Sequence, residues 1–305
     1  MRKLTYQISK QNEQTILSFL KKEGYSHALI VLLKKTQKSI LRNGIWAYVN
    51  ETLKEGDLLT IRIPDEPATD TPEFWQTTLD VIYEDEDMIA INKPSGMPIH
   101  PSINHRNHTL TNALFAYQDQ RKHFYPFRCI NRLDRDTTGL TVIAKHLLSA
   151  NSLGAQVRIH SFSRTYLAIC EGNVPSEGCI RAKIARKADS TVERVVNEET
   201  GETAVTHFKK LNYRKDYNLS LVQLELETGR THQIRVHMKH LGYPLIGDFL
   251  YHPSYSYIKR QALHGFLLTF LHPITKKQMQ LCAPVPSDMR SLFPTAIAQL
   301  ESRIL

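Results

Sequence analysis

The sequence predicts an α+β fold in which a small N-terminal unit precedes a larger one. Three observations carry this: short strand-like runs outnumber helical patterns after residue 79, the two do not alternate strictly, and a proline-rich acidic stretch divides the chain. With 305 residues, 41% of them hydrophobic, the chain can supply an ordinary core for one large domain and a small one.

In the N-terminal unit, residues 12 to 42 read as two helices, with Gly24 between them and Asn43-Gly44 as a stop and turn. "IWAYVN" and "DLLTIRI" then alternate as a short strand pair, which closes a unit of residues 1–63. The stretch 64–76 mixes three prolines with acids and threonines and has no helical or strand period, so residues 64–78 read as a linker. Beyond it, strand-like runs fall at Leu79 to Tyr83, Met88 to Asn92, Leu140 to Ala144, Thr165 to Cys170, Cys179 to Ile184, Thr203 to Leu211 and Leu219 to Leu226. Helical patterns fall near 109–118, 147–158, 231–240 and 287–301, which makes 79–305 the second domain. There is no internal repeat and no GxGxxG, GxxxxGK[ST] or HExxH motif.

The net charge of +9 is unevenly placed. Residues 1–63 hold 11 Lys/Arg against 5 Asp/Glu, residues 64–87 hold 9 acids and no Lys or Arg, and the remainder carries +12. Two basic bodies joined by an acidic strap suit a polyanion, because neutralising phosphates releases condensed counterions; a merely soluble surface is the plainer alternative. The longest aliphatic run, Ala28 to Leu33, is far short of the roughly 20 residues that cross a bilayer, and the N-terminus lacks a signal-peptide h-region. No membrane association is expected. Cys129, Cys170, Cys179 and Cys282 show no CxxC spacing, which predicts reduced core thiols and a cytoplasmic protein.

Four stretches could carry chemistry. In "NRLDRDTTGL", an extended backbone would put Arg132, Asp134 and Asp136 on one face and Leu133 and Arg135 on the other, although a turn at Asp136 to Gly139 with solvated charges is also open. In "ETGRTHQIRVHMKHLGYPLIGD", Thr231 is a plausible N-cap and Gly242 a plausible C′ residue, so about ten residues from His232 form a helix that places Arg235 beside His232. An exposed basic face is the alternative there, and the histidines lack companion ligands at metal-binding spacing. "RTYLAICEG" reads as a strand with Arg164 and Tyr166 on one face, where a tyrosine is usually a core residue. "INKPSGMPIHPS" is a strand entering a proline-held loop in which Lys93 and His100 either line a cleft or decorate a rigid turn.

Taken together, these stretches resemble the RluA-type pseudouridine synthases, in order through residues 79 to about 285. The family pattern HRLD followed by [TS][ST]G reads "NRLDRDTTG", with Asn131 in place of the usual His; [KR]xY reads "RTY", and GRxHQ[IL]RxH reads "GRTHQIRVH". The N-terminal unit resembles the alpha-L RNA-binding fold: "WAYVNETLKEGDLLTI" keeps the strand, Asn and GD pattern but lacks the Gly after Val49-Asn50.

The resemblance implies a catalytic domain with a mixed, mainly antiparallel sheet flanked by helices, preceded by a small α/β RNA-binding module. It implies isomerisation of uridine to pseudouridine in structured RNA, ribosomal RNA before transfer RNA, by a monomer that needs no cofactor, metal or protein partner. Asp134 is then the nucleophile, attacking either sugar or base. A buried carboxylate must stay ionised, and a guanidinium beside it favours that; Arg235 is the matching residue. Tyr166 lies against the uracil and helps remove the C5 proton. Unstacking the uridine costs on the order of a few kcal/mol, and Arg132 fills the gap left in the RNA. Arg230, His232 and Lys93 join Arg132 as RNA-binding candidates. Two other readings remain: a glycosidase using Asp134 and Asp136, and an RNA-binding or assembly protein that keeps the fold without the activity.

Overall fold

A computed structural model describes residues 1–65, 73–103 and 105–304; the centre of the expected linker, 66–72, lies outside the described residues. The elements run β1 (Arg2–Gln7), α1 (Ile16–Lys22), α2 (His27–Lys35), β2 (Ile40–Arg42), β3 (Ile45–Trp46), β4 (Leu58–Ile63), β5 (Val81–Glu84), β6 (Met88–Lys93), α3 (Leu110–Arg121), β7 (Thr138–Ala144), α4 (Leu147–Arg158) and β8 (Ser163–Glu171). They continue with β9 (Glu177–Arg181), β10 (Ile184–Arg186), β11 (Arg194–Val196), β12 (Val205–Arg214), β13 (Leu219–Leu226), α5 (Gln233–His240), β14 (Leu263–Leu271), β15 (Gln278–Cys282), α6 (Ser287–Arg290) and α7 (Pro294–Glu301).

The first 63 residues form a four-stranded sheet, ordered β1-β4-β2-β3, under α1 and α2. Two expectations need correction here. Residues 40–42 are strand, not helix: Asn43 and Gly44 both have positive φ and close a two-residue hairpin between β2 and β3. β4 therefore pairs with β2 and with β1, rather than with the "IWAYVN" run. Strand β1 has no strong apolar alternation, since among its six residues only Leu4 is buried. Its place is set by its partner.

This unit is packed on the rest of the chain. Leu148 of α4 sits in its hydrophobic core with Leu29 and Leu33. Asn151 donates to Ser26 Oγ at 2.8 Å, and Arg2 Nε donates to Asp87 Oδ1 at 2.7 Å. Asp85, Asp87 and His272 cluster beside that contact, and their atoms are engaged: Asp85 accepts from Tyr83, His272 and two backbone N–H groups, and Asp87 pairs with Arg2 and His146.

The large sheet has nine strands in the order β5-β6-β7-β14-β8-β13-β12-β9, with β15 on β14. Every pairing is antiparallel except β7 with β14, so the sheet is mixed and mainly antiparallel. Strand β14, absent from the sequence reading, lies at its centre. "LHGFLLTFL" is a near-continuous apolar run, as a strand buried on both faces should be, and lacks the alternation that marks a half-exposed one. The expected run Cys179 to Ile184 is two strands, β9 and β10, and the helix expected at 287–301 is broken at Pro294. Among the cysteines, Cys179 is exposed on β9 and is not a core thiol.

The parallel join of β7 to β14 positions the site, because the "NRLDRDT" loop feeds directly into β7. It needs two glycines face to face. Gly139 has φ +112, and a Cβ there would lie 2.2 Å from the Gly265 carbonyl oxygen. No side chain fits without separating the strands.

His264, in the same join, is buried between the Thr138 hydroxyl at 2.9 Å and the Ala283 carbonyl at 3.3 Å. Burial pushes its pKa down from 6.5 to about 4. The unfolded chain therefore takes this proton near pH 6.5 while the folded chain waits until about 4, so stability from this group is full above 6.5 and lost as pH falls towards 4. The wild-type advantage over His264→Gln in urea unfolding should narrow by about 2 kcal/mol between pH 7 and pH 5. A constant difference would show that the group carries no such shift.

Candidate active site

The loop before β7 is anchored by Asn131. Its amide donates to the Leu140 carbonyl and its Oδ1 accepts the Val142 N–H, both at 2.9 Å, while Thr141 Oγ1 donates to its carbonyl at 2.7 Å. Asn at the family's His position thus ties the loop to β7. The chain then turns, with Thr137 N–H donating to the Asp134 carbonyl at 3.1 Å. This turn, two residues before the one open at Asp136 to Gly139, breaks the alternation of the extended reading. Asp136 does not share a face with Asp134; it pairs with Arg135 at 2.8 Å and faces a separate hollow.

Beneath the turn lies Lys93, fully buried, with Nζ donating to the carbonyls of Pro94 (2.8 Å), Met97 (2.9 Å) and Arg135 (2.8 Å). Lys93 as an RNA contact is therefore corrected: all three of its hydrogens are spent on backbone and none faces solvent. Burial pushes its pKa down to about 7, against the pull of Asp136 and Asp134.

Helix α5 supplies the cation. It begins at Gln233, one residue later than expected, with His232 rather than Thr231 as N-cap in a left-handed conformation (φ 58°). Gln233 locks the entry: its oxygen accepts from Thr228 Oγ1 (2.8 Å) and the Arg230 N–H (2.9 Å), and its amide donates to the Val205 carbonyl (2.9 Å) and Thr206 Oγ1 (3.0 Å). The exposed-basic-face alternative fails, because Arg235 and His237 are buried in the helix interior face while Lys239 and His240 stay outside.

Arg235 Nε and NH2 donate to the two oxygens of Asp248 at 2.7 and 2.8 Å, and NH1 donates to Asp134 Oδ2 at 2.9 Å. Burial alone would lower the Arg235 pKa, but Asp248 and Asp134 together hold it above its usual value. Asp248 is completely buried and also accepts the N–H groups of Leu250 and Tyr251. It escaped the sequence reading although it ends the basic stretch. The available clue was that Arg235, flanked by Ile234 and Val236 on a buried helix, requires a buried carboxylate.

A cleft of about 800 Å³ opens over these groups, lined by Asp134, Tyr166, Arg235, His232, Arg164 and Arg132. Tyr166, on β8 between β13 and β14, is buried on a wall it shares with Leu133, above the bare Cα of Gly265. Burial raises its pKa, Arg164 opposes the rise and Asp134 adds to it, so the phenol is held neutral. Arg164 was not singled out for this role, yet it lines the cleft with its Nε buried and without an acceptor among the described residues. Arg132 stands exposed at the mouth. Arg230 lies on the rim, tied to Glu202 and to the Thr203 carbonyl. His100 reaches the cleft edge, stacked edge-on against Phe127.

At the floor of the cleft Asp134 has one oxygen held by a guanidinium, while Glu227 on the wall is paired with His207 and Arg181. The hydrolase alternative using Asp134 and Asp136 does not fit, because Asp136 faces a separate hollow, and Asp248 is sealed behind Arg235. Asp248→Ala would leave that guanidinium buried with a single partner, and should destabilise the fold by about 3–5 kcal/mol in urea denaturation. A loss under about 1 kcal/mol would mean that water replaces the carboxylate.

Comparison with known proteins identifies the family. Residues 87–240 match the model of the RNA pseudouridylate synthase family. The uncharacterised RNA pseudouridine synthase YjbO of Bacillus subtilis (strain 168) is 37% identical over 280 residues, covering 92% of this chain and 98% of that protein. The ribosomal large subunit pseudouridine synthase D of Zymomonas mobilis is 37% identical over 259 residues, covering 79% of this chain and 80% of that one. Among solved structures, human RNA pseudouridylate synthase domain containing 1 superposes with a TM-score of 0.58 at 24% identity, covering 74% of this chain and 94% of its own, a likeness of fold. The chain belongs to the RluA-type RNA pseudouridylate synthases, and is an isomerase of that family.

Proposed function

We propose that this pseudouridine synthase acts on ribosomal RNA of the large subunit, with Asp134 as nucleophile, Arg235 as its ion-pair partner and Tyr166 against the target base. The observation that carries the residue roles is the 2.9 Å contact of Arg235 with Asp134 Oδ2 at the floor of the cleft. The choice of RNA is supported by the large-subunit enzyme named above, which matches over 80% of its length, and by the basic N-terminal unit of residues 1–63, read as an RNA-binding module ahead of a catalytic domain at 79–305. Such an enzyme works in the cytoplasm, beside its RNA.

The reaction breaks the N1–C1′ bond, turns the uracil and joins C5 to C1′. One proton leaves C5 and one arrives at N1, so the atoms balance without a co-substrate. Arg235 occupies one oxygen of Asp134 and leaves Oδ1 uncommitted among the described residues, which is the oxygen available to attack sugar or base. A neutral Tyr166 offers its ring as a flat apolar support; as an acceptor for the C5 proton it would act through the neutral hydroxyl, not a standing phenolate. Arg132, exposed at the mouth, would fill the space the uridine leaves, and Arg230 on the rim would meet the backbone.

The test is a map of pseudouridines, by carbodiimide adduct and reverse-transcription stops, across total RNA from a deletion strain complemented with wild type or Asp134→Asn. Stops in large-subunit ribosomal RNA should vanish on deletion and return only with wild type. Loss confined to transfer RNA overturns the choice of RNA, and rescue by Asp134→Asn overturns the nucleophile. Purified protein that binds RNA without isomerising it supports the assembly-protein reading instead. Arg235→Lys keeps the charge but loses the planar fork that grips both Asp248 oxygens while reaching Asp134; its turnover should fall on the order of a hundredfold, the cost of a misplaced reactive group. Steady-state tritium release from C5-labelled RNA measures it.

A further inference from the structure

Two residues meet the Asp134–Arg235–Asp248 chain from its side. His232 holds a left-handed backbone (φ 58°, ψ 20°) and, although it is the N-cap of α5, its side chain makes no cap hydrogen bond. A non-glycine residue in that region costs on the order of 1 kcal/mol, so the imidazole is held in place for a contact other than capping. Its Nδ1 lies 2.9 Å from the Tyr251 hydroxyl, and its Nε2 lies 3.9 Å from Asp134 Oδ2.

The Tyr251 hydroxyl decides which nitrogen carries the hydrogen. Its oxygen accepts the backbone N–H of Arg194 at 2.9 Å, and that donor cannot reverse. The phenol hydrogen then has Nδ1 of His232 as its acceptor. In the opposite tautomer the oxygen would accept twice, and the hydroxyl hydrogen of a residue only 6% exposed would have no acceptor among the described residues. The imidazole therefore carries its hydrogen on Nε2, the nitrogen that faces Asp134. Burial also holds the ring below its usual pKa, with Arg235 and Arg194 acting in the same direction and Asp134 and Asp248 against it, so the donor is neutral. The Tyr251 ring keeps its own position by standing edge-on to His232 and 5.0 Å from the Arg235 guanidinium carbon.

We propose that His232 is a positioning residue for Asp134: its Nε2–H closes onto Oδ2 beside Arg235 when RNA fills the cleft, leaving Oδ1 as the attacking oxygen, and Tyr251 sets the tautomer that makes this possible. The inference rests on the reading of Asp134 as nucleophile. A separation of 3.9 Å is too long for a hydrogen bond, but contacts of this kind are commonly loose in the free enzyme and tighten in the complex. The neutrality has a use. A second cation would stabilise the resting carboxylate and blunt it, whereas a neutral N–H orients it without adding charge.

Two substitutions separate this role from a structural one. The Gln amide nitrogen approximates His Nε2, while Asn approximates Nδ1 and is the better fit to a left-handed backbone. The full-length His232→Gln, His232→Asn and Tyr251→Phe variants, with folding checked by near-UV circular dichroism, would be compared with wild type in single-turnover tritium release from C5-labelled ribosomal RNA, with RNA affinity measured separately. His232→Gln should stay within about fivefold of wild type and His232→Asn should lose about thirtyfold, both in rate and not in affinity. Tyr251→Phe should lose about fivefold to tenfold in rate, through a freed tautomer. An Asn variant as fast as the Gln variant, or losses that appear in RNA affinity alone, would overturn the proposal. A wild type that releases no tritium from any cellular RNA overturns the nucleophile reading and this one with it. An active wild type with unimpaired His232→Asn removes only this one.

Discussion

Everything at the site depends on burying one guanidinium. Taking Arg235 out of water costs several kcal/mol after relaxation, and that is tolerable only if its donors meet carboxylates in good geometry. Asp248 takes one edge of the fork through two bonds, and Asp134 takes the remaining nitrogen. Because a planar fork fixes both partners at once, Asp134 is aimed by a group that is itself immobile. The three residues come from a loop before β7, from α5 and from the turn after Gly247, and the fold has to deliver all three.

It does so with rigid joints on either side. The Gly139–Gly265 contact lets β7 run parallel against β14, so the loop ahead of β7 emerges beside β8 and its tyrosine. Gln233 fastens the start of α5 with four hydrogen bonds, two of them to Val205 and Thr206 of β12. Lys93 gathers three carbonyls under the Asp134 turn. The glycine pair and Lys93 lie outside the cleft lining and Gln233 is buried at its edge, yet each removes a freedom that would blur the carboxylate's direction.

The parts of the site legible in the sequence were those whose chemistry is local. Asp134, Tyr166 and Arg235 stand in short patterns, and helix α4 was readable to the residue because its period and flanks agree. What escaped was non-local. Asp248 looks like any acid after a glycine until the buried arginine it serves is known. Lys93 looks like a surface cation, because nothing nearby in sequence announces three converging carbonyls, one of them 42 residues away. Strand β14 carries no alternation, since both its faces are covered. Even the turn at Arg135–Asp136 was misjudged, because adjacent charges that pair with each other read as alternating faces of a strand.

The placement of Leu148 inside the hydrophobic core of the N-terminal unit has a consequence for the substrate. A module on a free tether searches a volume, and its partner sites in RNA could lie at any spacing within reach. A module whose interior is completed by a side chain of α4, and which is further pinned through Arg2 to Asp87, instead stands at a fixed distance from the cleft. An RNA that touches both the basic first unit and the cleft must present its uridine at one distance and angle. Under the proposed function, selection of the target would then operate on the three-dimensional shape of the RNA.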